Sequence, residues 1–166
     1  MGTFRYVDGD LIQLALDRNF DVIGHGCNCF CTMGSGIAPQ MARAFWCNDP
    51  SKYPLEGNEY DGDWNKLGNF EAYSWYMPGP DRHRLDVINM YTQYKYGSNH
   101  EDGDSAPFDY NALAVCLFKV NKRYADKRIG LPKIGSGLAG GDWNRIEEIL
   151  KQQLIDCHIT IVNYKP

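Results

Sequence analysis

Two short glycine-rich segments, each lying between a predicted strand and a predicted helix, constrain the fold of this chain most. They are residues 34–38 (Gly-Ser-Gly-Ile-Ala) and residues 135–141 (Gly-Ser-Gly-Leu-Ala-Gly-Gly), about a hundred residues apart. Glycine lets backbone N–H groups approach a ligand closely, and the helix that follows supplies unpaired N–H donors with a partial positive charge. Two such loops facing one cleft indicate a site for a pyrophosphate group.

Strand and helix patterns alternate along the rest of the chain. A turn over residues 78–81 (Pro-Gly-Pro-Asp) predicts one hairpin, and residues 48–68 are predicted to be an irregular connection. Residues 94–107 have no periodicity, which predicts a mobile surface loop with a lid as an alternative role. Strands are predicted over 3–7, 21–26, 70–76, 85–91, 128–131 and 158–164, and helices after Asp10, over 37–45, over 110–124 and after Asp142. This order predicts a mixed sheet with helices on both faces.

Length, composition and charge restrict the class of protein. The chain has 166 residues, 43% hydrophobic and 23% charged, which predicts one globular domain. It contains no apolar run long enough to cross a bilayer and no basic segment preceding an apolar one, so we expect a soluble cytoplasmic protein without a membrane partner. The net charge of −4 and the lack of a Lys/Arg stripe argue against nucleic acid. A small anion held by neutral backbone donors remains compatible.

The six cysteines are expected to be free thiols, because a chain of this size has enough core without a disulfide framework. A disulfide framework is the alternative that an even number allows. Cys27, Cys29 and Cys31 alternate along the chain. Zinc sites instead pair their ligands at other spacings and need a second His/Cys pair downstream. We therefore expect no metal.

Four segments, taken in order, closely resemble the macrodomain family. They are residues 7–11 (Val-Asp-Gly-Asp-Leu), 25–29 (His-Gly-Cys-Asn-Cys), 33–38 (Met-Gly-Ser-Gly-Ile-Ala) and 131–138 (Leu-Pro-Lys-Ile-Gly-Ser-Gly-Leu). The resemblance implies one macrodomain over residues 1–166. It also implies a three-layer α/β/α sandwich with a central mixed, mostly parallel six-stranded sheet, and a cleft for ADP-ribose. No cofactor is implied, and we expect a monomer.

Within that family, the first loop is similar to the branch that contains ADP-ribose 1″-phosphate phosphatases. The second loop also resembles a branch that removes ADP-ribose from modified carboxylates. Members of that second branch use a lysine late in the fourth strand and an aspartate after the Gly-Leu pair. This chain has no lysine in residues 88–91 and has Ala139 after the pair, which counts against that activity.

The resemblance also assigns roles at the adenine end. Asp10 is implied to accept a hydrogen bond from the adenine amino group, with Leu11 beside the ring. From the residues alone, Asp10 is a helix N-cap, and one carboxylate has oxygens for both roles. Asn163 and Tyr164 are implied to flank the adenine, with a place at the edge of the core as the alternative.

At the other end of the ligand, His25 is the candidate acid/base, because imidazole titrates near neutral pH. Its alternative is a structural histidine. Asn28 is implied to position the distal ribose, and its alternative is a turn residue. Asp142 is expected to cap a helix, with a second acid/base role as the alternative. The implied loop contacts are Gly34, Ser35, Gly36, Ile37, Ser136, Gly137, Leu138 and Ala139, which otherwise form ordinary strand-to-helix turns.

The leading functional hypothesis is a metal-independent hydrolase that removes phosphate from ADP-ribose 1″-phosphate, with loop amides stabilising anionic oxygens. A module that binds ADP-ribose without turning it over is the first alternative. The second is a hydrolase of ADP-ribosylated proteins or of O-acyl-ADP-ribose.

Overall fold

The computed structural model describes residues 1–33, 36–47, 62–95, 107–137 and 139–165. Within these residues the strands are β1 (Thr3–Gly9), β2 (Val22–Asn28), β3 (Phe70–Tyr76), β4 (Arg84–Gln93), β5 (Arg128–Leu131) and β6 (His158–Tyr164). The helices are α1 (Leu11–Leu16), α2 (Ala38–Phe45), α3 (Tyr110–Arg123) and α4 (Trp143–Gln153), and a 3-10 turn spans Trp64–Lys66.

Aspartate side chains cap three of these helices. The Asp10 carboxylate accepts hydrogen bonds from the first turn of α1, Asp109 from that of α3 and Asp142 from that of α4. Each thereby satisfies donors that a helix start leaves unpaired. The predicted caps at Asp10 and Asp142 are confirmed. Helix α2 begins differently, after Ile37 and with Pro39 in its first turn.

The six strands form one sheet in the order β1-β6-β5-β2-β4-β3. Every neighbouring pair is parallel except β3 and β4, which are antiparallel at one edge. The turn over residues 78–81 joins these two strands, so the predicted hairpin is confirmed. The mixed, mostly parallel six-stranded sheet is also as expected.

Two helices cover each face of the sheet. Helices α1 and α2 pack on one face around Leu11, Met41 and Phe45. Helices α3 and α4 pack on the other face around Leu113 and the buried side of α4. This arrangement is the predicted three-layer α/β/α sandwich.

The centre of the sheet brings the two glycine loops together. Strands β2 and β5 are parallel neighbours, with Val22 opposite Ile129 and Ile23 opposite Gly130. Their carboxyl ends therefore lie at the same edge of the sheet. Beyond that edge the chain leads from β2 to α2 on one face and from β5 to α4 on the other. Such a divergence leaves a crevice, which is where open α/β sheets bind ligands.

Three further expectations from the sequence concern the cysteines, membrane-spanning helices and the two long connections. All six cysteines are free thiols and buried. No helix in the described part of the chain is both long and apolar enough to cross a membrane. Most of the predicted irregular connection over 48–68 and of the predicted loop over 94–107 lies outside the described residues, so the lid remains a prediction.

A buried carboxylate ties the hairpin to helix α3. Asp86 of β4 accepts hydrogen bonds from Ser74 of β3, from Arg84 and from the hydroxyl of Tyr124, which ends α3. Burial alone would raise the pKa of Asp86, but the bonds from Arg84, Tyr124 and Ser74 outweigh it and hold the pKa below its ordinary value. Asp86 is therefore ionised in the folded protein at neutral pH.

We expect Asp86→Asn to lower the free energy of unfolding by about 1–3 kcal/mol at pH 7, because an amide cannot accept all of these bonds. A carboxyl group with a lowered pKa contributes stability above its unfolded value of 3.8 and loses it as the pH falls through the folded value. The difference in free energy of unfolding between wild type and the variant should therefore be smaller at pH 3 than at pH 7. Urea unfolding at both pH values measures it, with the exposed Glu148→Gln as control. A difference that is unchanged at pH 3 would contradict this account.

Candidate functional site

Two adjoining cavities lie at the carboxyl edge of the sheet. The central cavity, about 400 Å³, lies over β2 and β5, and the edge cavity, about 420 Å³, lies over β1 and β6. Gly36, Ile37 and Pro132 line both. Because these residues form a shared wall, the cavities are two compartments of one cleft.

The edge cavity is lined by residues that follow β1 and residues of β6. Asp10 Oδ1 accepts the N–H groups of Ile12 at 2.9 Å and of Gln13 at 3.1 Å, which leaves Oδ2 outside these cap bonds. Leu11 is buried in the wall, and the exposed Tyr164 stands at its rim. One oxygen of Asp10 thus builds the helix start while the other remains available to a ligand in the cavity.

Asn163 is not among the described residues that line either cavity. Its amide nitrogen lies 3.4 Å from Asp8 Oδ1, on the neighbouring strand. Side chains alternate between the two faces of a strand, so Val162 and Tyr164 face the edge cavity and Asn163 faces away. Of the two residues expected to flank the adenine, the structure brings only Tyr164 to the cleft.

The start of helix α2 forms the shared wall. Gly36 adopts φ +62°, a left-handed conformation that favours glycine, and Ile37 precedes the helix without offering a side-chain acceptor. The first N–H groups of α2 have no intrahelical partner. This wall therefore presents backbone donors instead of charged side chains. The implied contacts Gly34 and Ser35 lie outside the described residues.

The second glycine loop closes the central cavity from the β5 side. A Cβ at Gly135 would overlap the ring of Phe108, so this glycine lets the loop pack closely. Apart from its chain neighbours, a Cβ at Gly137 would meet no atom of the described residues within 4 Å, because Gly137 faces the cavity. Ala139 also lines the cavity, whereas the Ser136 hydroxyl donates to the Lys133 carbonyl at 2.9 Å and lines neither compartment. Leu138 lies outside the described residues.

His25 is buried beneath the central cavity and is 1% exposed. Its Nε2 lies 2.6 Å from Asn89 Oδ1, and Asn89 Nδ2 donates to the Cys47 carbonyl at 2.7 Å. Burial lowers the pKa of His25 to about 4, against the opposing effect of the hydrogen bond to Asn89. The imidazole is therefore neutral at pH 7, so it cannot start a reaction as the proton donor.

Asn28 organises the first loop. Its Oδ1 accepts from Phe30 N at 3.0 Å and Thr32 N at 3.3 Å, and its Nδ2 donates to Thr32 Oγ1 at 2.8 Å and Thr32 O at 3.1 Å. Both donors and the acceptor of the amide are thus occupied by the loop. This geometry matches the alternative of a turn residue, and Asn28 shapes the cavity wall that it also lines.

The thiols of Cys27 and Cys29, at the end of β2, are protonated at neutral pH. Cys27 lines the central cavity and packs with Cys29, Cys31 and Tyr91. Burial raises the pKa of Cys27 well above its ordinary value, and that of Cys29 to about 12. Neither thiol is an ionised nucleophile at neutral pH. Among the residues that the structure describes, no three His, Cys, Asp or Glu side chains are grouped as a metal ion would need.

Asp142 caps α4 through Asn144 N at 3.0 Å and is absent from the described linings.

Sequence reasoning missed Thr32, Gln93 and Asn89, although the first two line the central cavity. Thr32 lies inside the recognised loop region, so its proximity could have been foreseen. Asn89 lies 64 positions after His25 in the chain, and only the pairing of β2 with β4 brings the two together.

Solved macrodomains share the fold of this chain. The macrodomain of Mycobacterium tuberculosis DarG superimposes with a TM-score of 0.64 at 22% identity, covering 100% of this chain and 99% of that one. Thermosipho africanus DarTG in complex with ADP-ribose gives a TM-score of 0.68 at 15% identity, over 99% of this chain and 42% of that one. This chain therefore has the macrodomain fold.

Curated relatives cover almost the whole chain. An uncharacterised 17.5 kDa protein from Enterobacteria phage T4 is 35% identical over 170 residues, with 98% of this chain and 97% of that protein covered. An ADP-ribose 1″-phosphate phosphatase from Saccharomyces cerevisiae is 23% identical, with 97% of this chain and 98% of the relative covered. No protein-family model matches the chain.

The burial of His25 predicts how its imidazole titrates. Its imidazole signals in an NMR titration should show no midpoint between pH 8 and pH 5, because its pKa is lowered from 6.5 to about 4. A His25→Gln variant assigns the signals. A midpoint near 6.5 would show that the ring is open to water and would contradict the described geometry.

Proposed function

We propose that this chain binds ADP-ribose along the cleft, with adenosine in the edge cavity and the distal ribose in the central cavity. The observation that carries the proposal is the pair of cavities joined at Gly36, Ile37 and Pro132. ADP-ribose has the same layout, because a diphosphate joins two bulky ends. The solved complex of Thermosipho africanus DarTG with ADP-ribose supports this choice of ligand.

The edge cavity suits adenine. Asp10 Oδ2 remains outside the two cap bonds and can accept the exocyclic amino group. Leu11 and Val162 provide an apolar wall, and the exposed ring of Tyr164 can cover the base. A carboxylate selects a ring that donates a hydrogen bond over one that presents a carbonyl oxygen.

The junction suits a diphosphate, although the chain carries a net charge of −4. The wall at Gly36 and Ile37 offers the N–H groups at the start of α2, which have no partner within the helix, and Gly137 lets the second loop approach. Anions bind such backbone donors without basic side chains. Lys133 also lines the central cavity, and its ammonium lies over the ring of Trp143 at 5.8 Å from the centroid.

For the chemistry, we propose hydrolysis of ADP-ribose 1″-phosphate. Water forms a bond to phosphorus, and the ribose oxygen leaves with the bonding electrons and takes a proton, giving ADP-ribose and inorganic phosphate. Neutral His25 can accept the proton from water, and backbone amides can stabilise the phosphoryl oxygens. The names of the relatives that are 22–26% identical support this activity.

Two observations favour the second candidate, a module that binds ADP-ribose without turnover. The low pKa of His25 makes it a weak base, and all the hydrogen-bonding groups of Asn28 are taken up by its own loop. Cys27, the other candidate for proton transfer in the described lining of the central cavity, is a protonated thiol because burial raises its pKa well above its ordinary value.

The two candidates separate in one experiment. We expect calorimetry to show ADP-ribose binding to wild type and to His25→Gln alike, within about threefold, because the ring is buried below the cavity. Phosphate release from ADP-ribose 1″-phosphate should fall by about a hundredfold or more in His25→Gln. Binding without any release by wild type would establish the binding module. Failure of wild type to bind ADP-ribose would remove both candidates.

A second test uses Gly137. Gly137→Val points a side chain into the cavity, where its Cβ would have no described atom within 4 Å apart from its chain neighbours, so the melting temperature should hold while affinity for ADP-ribose falls at least about tenfold. Ser136→Ala is the control, since its hydroxyl bonds to the Lys133 carbonyl and lines neither cavity. Equal affinities in wild type and Gly137→Val would place the ligand elsewhere.

A further inference from the structure

We propose that Asn89 is a positioning residue that fixes His25 in one tautomer, with the proton on Nε2 and the lone pair on Nδ1. The catalytic half of this inference rests on the hydrolytic function proposed above, in which His25 Nδ1 then accepts the proton from water and returns it to the leaving ribose oxygen. Asn89 belongs to β4 and lies outside the glycine-loop motifs, so those motifs do not assign this role to it.

The orientation of the Asn89 amide follows from its anchor. A backbone carbonyl only accepts hydrogen bonds, so the atom 2.7 Å from the Cys47 oxygen must be the amide nitrogen. The amide oxygen therefore faces His25 Nε2, at 2.6 Å. Because an amide oxygen also only accepts, Nε2 must carry the hydrogen. A neutral imidazole then has its lone pair on Nδ1.

Because the three residues are buried, only one pattern of hydrogen bonds among them is favourable. His25 is 1% exposed, Asn89 is 2% exposed and Cys47 is fully buried, so water does not compete for the hydrogen bonds that join these three residues. In such surroundings an unpaired amide nitrogen or carbonyl would cost free energy. Inverting the Asn89 amide would oppose two oxygens at Cys47, and the other tautomer of His25 would oppose an oxygen and a lone pair at Asn89. The described arrangement alone satisfies all three groups.

Strand pairing sets the geometry. His25 and Asn89 are direct partners in the parallel register of β2 and β4, and their side chains point to the face that α2 covers. Cys47 follows Trp46, whose left-handed backbone (φ 54°) ends α2. The far end of α2 is thus tied to His25, while its first turn forms the wall shared by the two cavities.

A neutral thiol also lies beside the His25 ring. The Cys27 sulfur lies 3.5 Å from Nε2 and 3.9 Å from Nδ1, and burial raises the pKa of this thiol well above its ordinary value. A protonated thiol is a weak donor, so it competes poorly for the Nδ1 lone pair. The lone pair is left for a water or a substrate hydroxyl in the cavity that both residues line.

The first test needs no substrate. Long-range ¹H–¹⁵N spectra of wild type should give a nitrogen shift typical of N–H for Nε2 and one typical of a lone pair for Nδ1. In Asn89→Leu, which keeps the side-chain volume but removes the acceptor, the two shifts should move toward each other. A wild-type proton on Nδ1, or shifts unchanged by Asn89→Leu, would overturn the assignment.

The second test separates positioning from folding. Asn89→Leu should keep ADP-ribose affinity within about threefold while the kcat for phosphate release falls at least about tenfold. Asn89→Thr, which restores a short acceptor, should recover part of both the shift separation and kcat. Equal kcat in wild type and Asn89→Leu would contradict the positioning role. If wild type shows the expected tautomer but releases no phosphate, the proposed hydrolysis fails while the assignment of Asn89 stands.

Discussion

The parallel pairing of β2 with β5 is the constraint on which the site depends. These neighbours end at the same edge of the sheet, but the chain leads from them to α2 on one face and to α4 on the other. Neither following helix can cover the gap between the two loops. The crevice is therefore a consequence of topology. The glycines at its borders leave space for a ligand to approach the backbone N–H groups.

The chemistry of this crevice is almost entirely neutral. Its described walls offer amide groups, a buried uncharged imidazole and protonated thiols, with Asp10 at one end and Lys133 at the other. Such a lining supports the proposed binding of a diphosphate by an acidic protein without a basic patch. It also means that the imidazole of His25, in the central cavity, depends on a hydrogen-bonded neighbour for its orientation.

Local patterns predicted the fold well because each element carries its own signal. Asp10 and Asp142 start helices through short-range bonds, and the turn over residues 78–81 forms a hairpin from its own residues. The site was less predictable, since it depends on contacts across the sheet. The face to which Asn163 points follows from register, and Asn89 meets His25 only through strand pairing. The side-chain bonds of Asn28 to Thr32 depend on the conformation of the loop, which the sequence pattern does not specify.

A crystal structure with ADP-ribose tests the central claim most directly. The account predicts adenine in the edge cavity with its amino group on Asp10, the diphosphate against the amides at Gly36 and Ile37, and the distal ribose in the central cavity above His25. A ligand bound in the reverse direction, or bound outside the two joined cavities, would contradict it.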